Sequence, residues 1–107
     1  GKRTPLKYTV ADDSQIPEEA AKLIEEKKEK EFQMAYQKGE DLYLIKGYGR
    51  QMSGGYSIQV TDLSASVNAV FFETKLIGPT EEVQGGEPSY PYIVVKTEYR
   101  DVPVQFQ

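Results

Sequence analysis

The feature that most constrains the fold is a change in hydrophobic period at Phe32. Before it, apolar residues recur at helical spacing, which predicts one helix over residues 17–31. Pro17 fits the first helical position, where its missing N–H costs nothing. The apolar face of this helix comprises Ile16, Ala20, Leu23 and Ile24. After the change, the period is two in several segments, so residues 32–107 are expected to form an antiparallel β region.

The alternating region predicts an antiparallel sheet. The segment "DLYLIKGYG" is apolar on both faces and is therefore expected in the centre of the sheet. Pro103, in the last segment "VPVQF", indicates a sheet edge. Short connections favour antiparallel pairing of consecutive strands. Residues 1–16 are expected to form a strand or extended arm, with the strand over Leu6–Val10.

We therefore predict an α+β fold for residues 1–107, taken as a single domain. Its expected architecture is an antiparallel twisted sheet or partly closed barrel of about six strands, with the one N-terminal helix packed against it.

The composition argues against several classes of function. The net charge is −4 and no Lys/Arg run exceeds two residues, so nucleic-acid binding is not expected. No apolar run approaches the ~20 residues of a transmembrane helix. The chain has no cysteine and no histidine, which removes the usual nucleophile–base pairs and the commonest metal ligands. We expect no enzymatic activity, no cofactor and no metal.

Two acidic alternatives stay open at this point. A carboxylate hydrolase is compatible with seventeen acidic residues, although no spacing singles out a pair. Loose calcium binding by Glu81, Glu82 and Glu87 is conceivable, but a solvated acidic loop is the favoured interpretation.

The stretch "GYGRQMSGGYSIQV" contains four glycines that lead into an alternating strand. Phosphate-binding loops lead into a helix instead, so nucleotide binding is rejected. We predict a turn in which Gly54 or Gly55 takes positive φ. Tyr56 should share the inward side of the strand with Ile58 and Val60, whereas Ser53 and the glycines should lie at the surface.

A contact surface is predicted from this turn and from the long loop "GPTEEVQGGEPSYP", residues 78–91. The tyrosines of both segments could serve as contacts or as core and rim residues of the sheet. The candidate binding residues are Ser53, Gly54, Gly55, Tyr56, Tyr90 and Tyr92.

Two stretches together resemble the C-terminal domain family of PrcB, a protease complex subunit. They are "GRQMSGGYSIQV" (49–60) and "SYPYIVVKTEYRDVPVQF" (89–106). The family pattern of Thr/Ser-Gly-Gly-Tyr before a strand falls on residues 53–56, with Ser in place of the more usual Thr. A Pro-containing extended segment, ending in an alternating strand, falls on residues 90–106. The resemblance covers residues 42–106.

The resemblance implies a non-catalytic protein-interaction or accessory domain of a bacterial exported or surface protein. Its expected partner is another surface or secreted protein, with a protease as one case. An extracytoplasmic location is expected, either secreted or at the cell surface, and a lipid anchor upstream of Gly1 is one way to hold the domain there. The alternative is a small-ligand or glycan-binding module that uses tyrosine faces.

Overall fold

The computed structural model describes residues 2–80 and 86–107, which form eight strands, one α-helix and one 3₁₀ helix. The strands are β1 (Thr4–Pro5), β2 (Thr9–Val10), β3 (Glu31–Lys38), β4 (Asp41–Tyr48), β5 (Ser57–Ala65), β6 (Val70–Ile77), β7 (Tyr92–Glu98) and β8 (Val104–Phe106). The 3₁₀ helix is Asp13–Gln15 and the α-helix, α1, is Glu18–Lys27. Sheet A has the strand order β1-β5-β6-β8, and sheet B has the order β2-β7-β4-β3.

Strand β4 supplies apolar side chains to both faces of sheet B. It lies between β7 and β3, so its predicted central position is confirmed. Leu42 and Leu44 point into the space between the two sheets, and Tyr43 and Ile45 point towards α1. Because successive side chains of a strand alternate in direction, this one segment contributes to two cores.

The main core lies between the two sheets. Its largest fully buried ring is Phe72, which packs edge-on against Phe106 with ring centroids 6.0 Å apart. The buried residues of this core are Leu42, Leu44, Leu63, Ala65, Val70, Phe72, Ile93 and Val95. Strands β4 and β7 of sheet B thus face β5 and β6 of sheet A across an apolar layer.

Helix α1 covers the other face of sheet B, as predicted. Ala20 and Ile24 are 0% and 2% exposed and belong to the same cluster as Tyr43, Ile45 and Val94. The molecule therefore has three layers: helix, sheet B and sheet A. Within the described residues, no helix combines the length and apolar character that crossing a membrane requires.

The helix is shorter than the predicted span of residues 17–31. Pro17 lies before the first turn as its N-cap, with ψ of 141°, and the last turn ends where Lys28 N–H donates to the Ile24 carbonyl at 2.9 Å. Ile24 is also the last apolar residue of the helix, so later turns would have nothing to pack on the sheet. Glu31 already belongs to β3.

The expectation of one sheet or a partly closed barrel of about six strands is wrong in detail. The α+β class holds, but the strands form two four-stranded sheets, and β8 pairs parallel with β6. The connection after β4 carries the chain from sheet B to sheet A, and residues 99–103 do so again after β7. Alternation specifies which face of a strand is buried but not which strand lies beside it.

The N-terminal arm also differs from the predicted strand over Leu6–Val10. Residues 4–5 pair with β5 and residues 9–10 pair with β7, so the arm spans both sheets. Leu6 N–H donates to the Leu63 carbonyl at 3.0 Å, and the Thr97 hydroxyl donates to the Lys7 carbonyl at 2.8 Å. These bonds fix the point at which the arm leaves one sheet for the other.

We expect Phe72→Ala to lower the free energy of unfolding by about 3–5 kcal/mol, because it empties the centre of the core between the sheets. The matched control is Phe71→Ala, on the outer face of sheet A, where the guanidinium of Arg3 lies 3.6 Å from the ring centroid. The control should cost about 1 kcal/mol or less. Urea denaturation followed by far-UV circular dichroism measures both; equal losses would contradict the assignment of the core.

Candidate functional site

The Gly-Gly-Tyr stretch lies in the connection between β4 and β5, where the chain passes from sheet B to sheet A. Two of its glycines have positive φ, 72° at Gly49 and 87° at Gly55. A Cβ at Gly49 would lie 2.9 Å from the backbone nitrogen of Glu31, so only glycine allows this close approach. The predicted turn is therefore present, and Gly55 rather than Gly54 takes the left-handed conformation.

A second segment, residues 86–91, lies directly beside this connection. Gln51 and Ser89 exchange two backbone hydrogen bonds, of 2.8 and 3.1 Å, in an isolated antiparallel bridge. The Ser89 hydroxyl donates to the Ser53 carbonyl at 2.6 Å, and Tyr48 N–H donates to the Pro91 carbonyl at 3.0 Å. The described parts of the two predicted contact segments are thus held together, and residues 81–85 of the long loop lie outside the described residues.

We call residues 49–56 and 86–91 together the turn surface. Gly54 and Gly55 are exposed, and Tyr56 is half-buried with its ring edge near Gly78. Met52 is 76% exposed, the most exposed large apolar side chain of this surface. Sequence reasoning missed Met52, although an apolar residue isolated in a Gly-rich loop was a usable signal.

Ser53 does not lie at the surface, contrary to expectation. It is 8% exposed, and its hydroxyl donates to the Gly54 carbonyl at 3.2 Å. Its own carbonyl is the acceptor for Ser89. The side chain therefore shapes the turn from inside, and the exposed elements at this position are the two glycines that follow it.

Tyr90 lies near the end of α1, whereas Tyr92 lies beneath the helix. The ammonium of Lys28 is 5.4 Å from the centroid of the Tyr90 ring. Tyr92 packs in the cluster beneath α1, and its hydroxyl donates to Asp13 at 2.9 Å. Burial, followed by this hydrogen bond and the charge of Asp13, raises the pKa of Tyr92 to about 12. The structure thus gives Tyr92 contacts with the 3₁₀ helix, while Tyr90 belongs to the turn surface.

An open groove of about 1190 Å³ lies at the opposite end of β4. Its walls come from residues 6–9, from the turn at 39–41 and from residues 96–99. Tyr8 is 40% exposed on this groove. Two lysines and three carboxylates, Lys7, Lys96, Glu40, Asp41 and Glu98, line it. Sequence reasoning missed the groove because its three segments are far apart in the chain.

The acidic side chains suggest no metal centre in the part of the chain that the structure describes. Within residues 2–80 and 86–107, the Asp and Glu side chains form no group of three or more that could hold a metal ion. The calcium alternative rested on Glu81, Glu82 and Glu87, of which the first two lie outside the described residues.

Comparison with known families gives a match to the model described as "PrcB C-terminal" over residues 42–98. The match covers 57 of the 107 residues, from the first leucine of β4 to the end of β7. The chain belongs to the PrcB C-terminal family, as its sequence predicted. No curated protein and no solved structure matches the chain.

We expect Gly55→Ala to lower the free energy of unfolding by about 1–2 kcal/mol, because an L-residue is strained at φ of 87°. The added Cβ would also lie 3.0 Å from the Cβ of Pro79. Gly54→Ala is the matched control, since no atom lies within 4 Å of its added Cβ, and it should change stability by less than about 0.5 kcal/mol. Thermal denaturation measures both; a neutral Gly55→Ala would contradict the turn geometry.

Tyr92 should titrate later than a free tyrosine. Its folded pKa is above its unfolded value, so the stabilisation is complete below about pH 10 and is lost as pH rises towards 12. In a pH titration followed by the ultraviolet absorbance of tyrosinate, the component that ionises latest, at the highest pH, should disappear in Tyr92→Phe. Asp13→Asn should move this component to lower pH. Burial also raises the pKa of Tyr99, so Tyr99→Phe is the control; persistence of the latest component in Tyr92→Phe would contradict the assignment.

Proposed function

We propose that this domain is a non-catalytic protein-interaction domain of a bacterial exported or surface protein, and that it binds its partner through the turn surface. The observation that carries the proposal is the union of two connections, residues 49–56 and 86–91, at one end of the molecule. Loops held by a rigid scaffold are where binding residues are usually found.

The exposed groups of the turn surface suit contact with a protein. Met52 offers a flexible apolar side chain, which adapts to the shape of a partner. Gly54 has open space where a side chain would be, so a partner can reach the backbone there. The Tyr90 ring, beside the ammonium of Lys28, adds an aromatic group at the edge.

The expected partner is another surface or secreted protein, and a protease is the first case to test. Membership of the PrcB C-terminal family supports this choice, since the resemblance to that family implies an accessory subunit of a protease complex. The lack of histidine and cysteine supports an accessory role over a catalytic one. An extracytoplasmic location is part of the same proposal.

The groove at the opposite end of β4 favours a second candidate function, the binding of a small ligand or glycan. Its volume of about 1190 Å³ is somewhat above the usual range of ligand sites, and Tyr8 presents an accessible ring beside charged groups. Such a ligand would change the tyrosine fluorescence of the domain, and Tyr8→Ala would weaken that change. Binding through the turn surface would leave Tyr8→Ala without effect.

The decisive experiment compares two arginine substitutions at exposed turns on opposite ends of β5. Gly54→Arg places a long cation on the turn surface, whereas Val67→Arg places one at a residue that is 91% exposed near the far end. Both variants should keep the fold. The immobilised domain is exposed to envelope and secreted fractions of the source bacterium, and each captured protein is then purified for affinity measurement.

We expect Gly54→Arg to weaken binding of the captured partner by roughly tenfold or more, and Val67→Arg to leave it within about twofold. A partner that binds both variants equally would place the interface elsewhere. If wild-type domain captures nothing beyond a control protein, while glycan titration changes the tyrosine fluorescence, the second candidate function replaces the first.

A further inference from the structure

In the described residues the two sheets have four edge strands, and three of them are only two or three residues long. Strands β1 and β2 are two residues long, and β8 is three residues long and follows Pro103. The fourth edge is β3, which has eight residues. Short strands and proline are the usual means of preventing a sheet edge from pairing with another chain. Among these four edge strands β3 alone has neither, and the part of β5 that β1 leaves unpaired is interrupted by a register shift between Val60 and Asp62.

Strand β3 is regular along its whole length. All eight of its residues pair with β4 in one unbroken register, from Glu31 with Tyr48 to Lys38 with Asp41. The six residues between its charged ends, "FQMAYQ", are uncharged and include no proline. In an antiparallel ladder every second residue directs its N–H and C=O away from the neighbouring strand. Strand β3 therefore presents a straight row of backbone donors and acceptors at the edge of sheet B.

The side chains of β3 leave apolar surface beside this edge. Phe32, Met34 and Tyr36 point to the side of α1 and are only partly buried there. Ala35, in the middle of the strand, is exposed on the opposite side. A strand added at this edge would cover the exposed parts of the apolar row.

We propose that β3 pairs antiparallel with β3 of a second copy of this chain, with the two-fold axis at Ala35. A two-fold axis perpendicular to the sheet keeps both helices on the same face, so that Met34 lies opposite Tyr36 of the second copy. This pairing joins the two copies of sheet B into one continuous sheet.

The charges select this register. With Ala35 on the axis, Lys30 lies opposite Glu40 of the second copy, so opposite charges meet at both ends of the pair. A shift that places Met34 on the axis sets Lys30 against Lys38. The shift that places Tyr36 there sets Glu31 against Asp41. Parallel pairing in register would align Glu31 with Glu31 and Lys38 with Lys38.

The first test is the mass in solution, by sedimentation velocity over a range of concentrations. We expect wild type to associate reversibly to twice its 12.1 kDa mass. Ala35→Lys, which sets two lysines against each other at the axis, should weaken association by roughly tenfold or more. The matched control is Gln59→Lys, an exposed residue of β5 in the other sheet, which should associate as wild type does.

The second test uses the absence of cysteine from the chain. Opposed residues of a hydrogen-bonded antiparallel pair have Cα atoms about 5.5 Å apart, within the range that a disulfide spans. Ala35→Cys should therefore form a covalent dimer under mild oxidation at a concentration where Gln59→Cys does not. Wild type that stays monomeric throughout, or lysine and cysteine variants that match their controls, would overturn the proposal. A monomer that binds a foreign extended peptide at β3 would overturn it in favour of that occupant.

Discussion

The structure depends on the apolar character of both faces of β4. Leu42 and Leu44 hold sheet A against sheet B, while Tyr43 and Ile45 hold α1 against the opposite face. Full burial of a leucine or isoleucine contributes about 1.5–3 kcal/mol, so these few residues supply a large part of a small domain's stability. A strand with one polar face could have held one layer only. The three-layer arrangement follows from this short segment.

The chain alternates between sheet A and sheet B, and the connections between the two sheets determine where the candidate sites lie. The connection after β4 must pass from one sheet to the other, so it cannot be a two-residue hairpin like the turn between β3 and β4. The bridge between Gln51 and Ser89 then ties this connection to the one that returns to β7. The side chains of the strands are used in packing the cores. The turn surface and the groove therefore lie at the two ends of β4, where the chain leaves the sheet.

The sequence predicts local features of this protein well and long-range ones poorly. Alternation predicts the buried faces of β3 and β5, the apolar run predicts the central position of β4, and the two adjacent glycines predict the turn before β5, because these signals arise from neighbouring residues. The division into two sheets depends on long-range contacts. One example joins Tyr48 of β4 in sheet B to Thr74 of β6 in sheet A, with the two hydroxyl oxygens 2.5 Å apart. No periodicity encodes such a contact.

The candidate site shows the same contrast. Tyr90 and Tyr92 are alike in sequence, yet Tyr92 is bonded to Asp13, 79 residues earlier, and so has a structural contact that no local pattern reveals. Ser53 is predicted at the surface together with the glycines of the turn, but its carbonyl accepts from Ser89 and its hydroxyl donates to the Gly54 carbonyl, which allows its burial.

The turn surface and the edge of β3 are physically connected. Arg50 N–H donates to the Glu29 carbonyl at 3.2 Å, and Gly49 packs against Lys30 at the start of β3. In an antiparallel pair of β3 strands, this end of one copy lies beside the turn at residues 39–41 of the other. Of the groove, only this turn comes near the turn surface of the other copy, since residues 6–9 and 96–99 lie on the side of β7 and β2, away from β3.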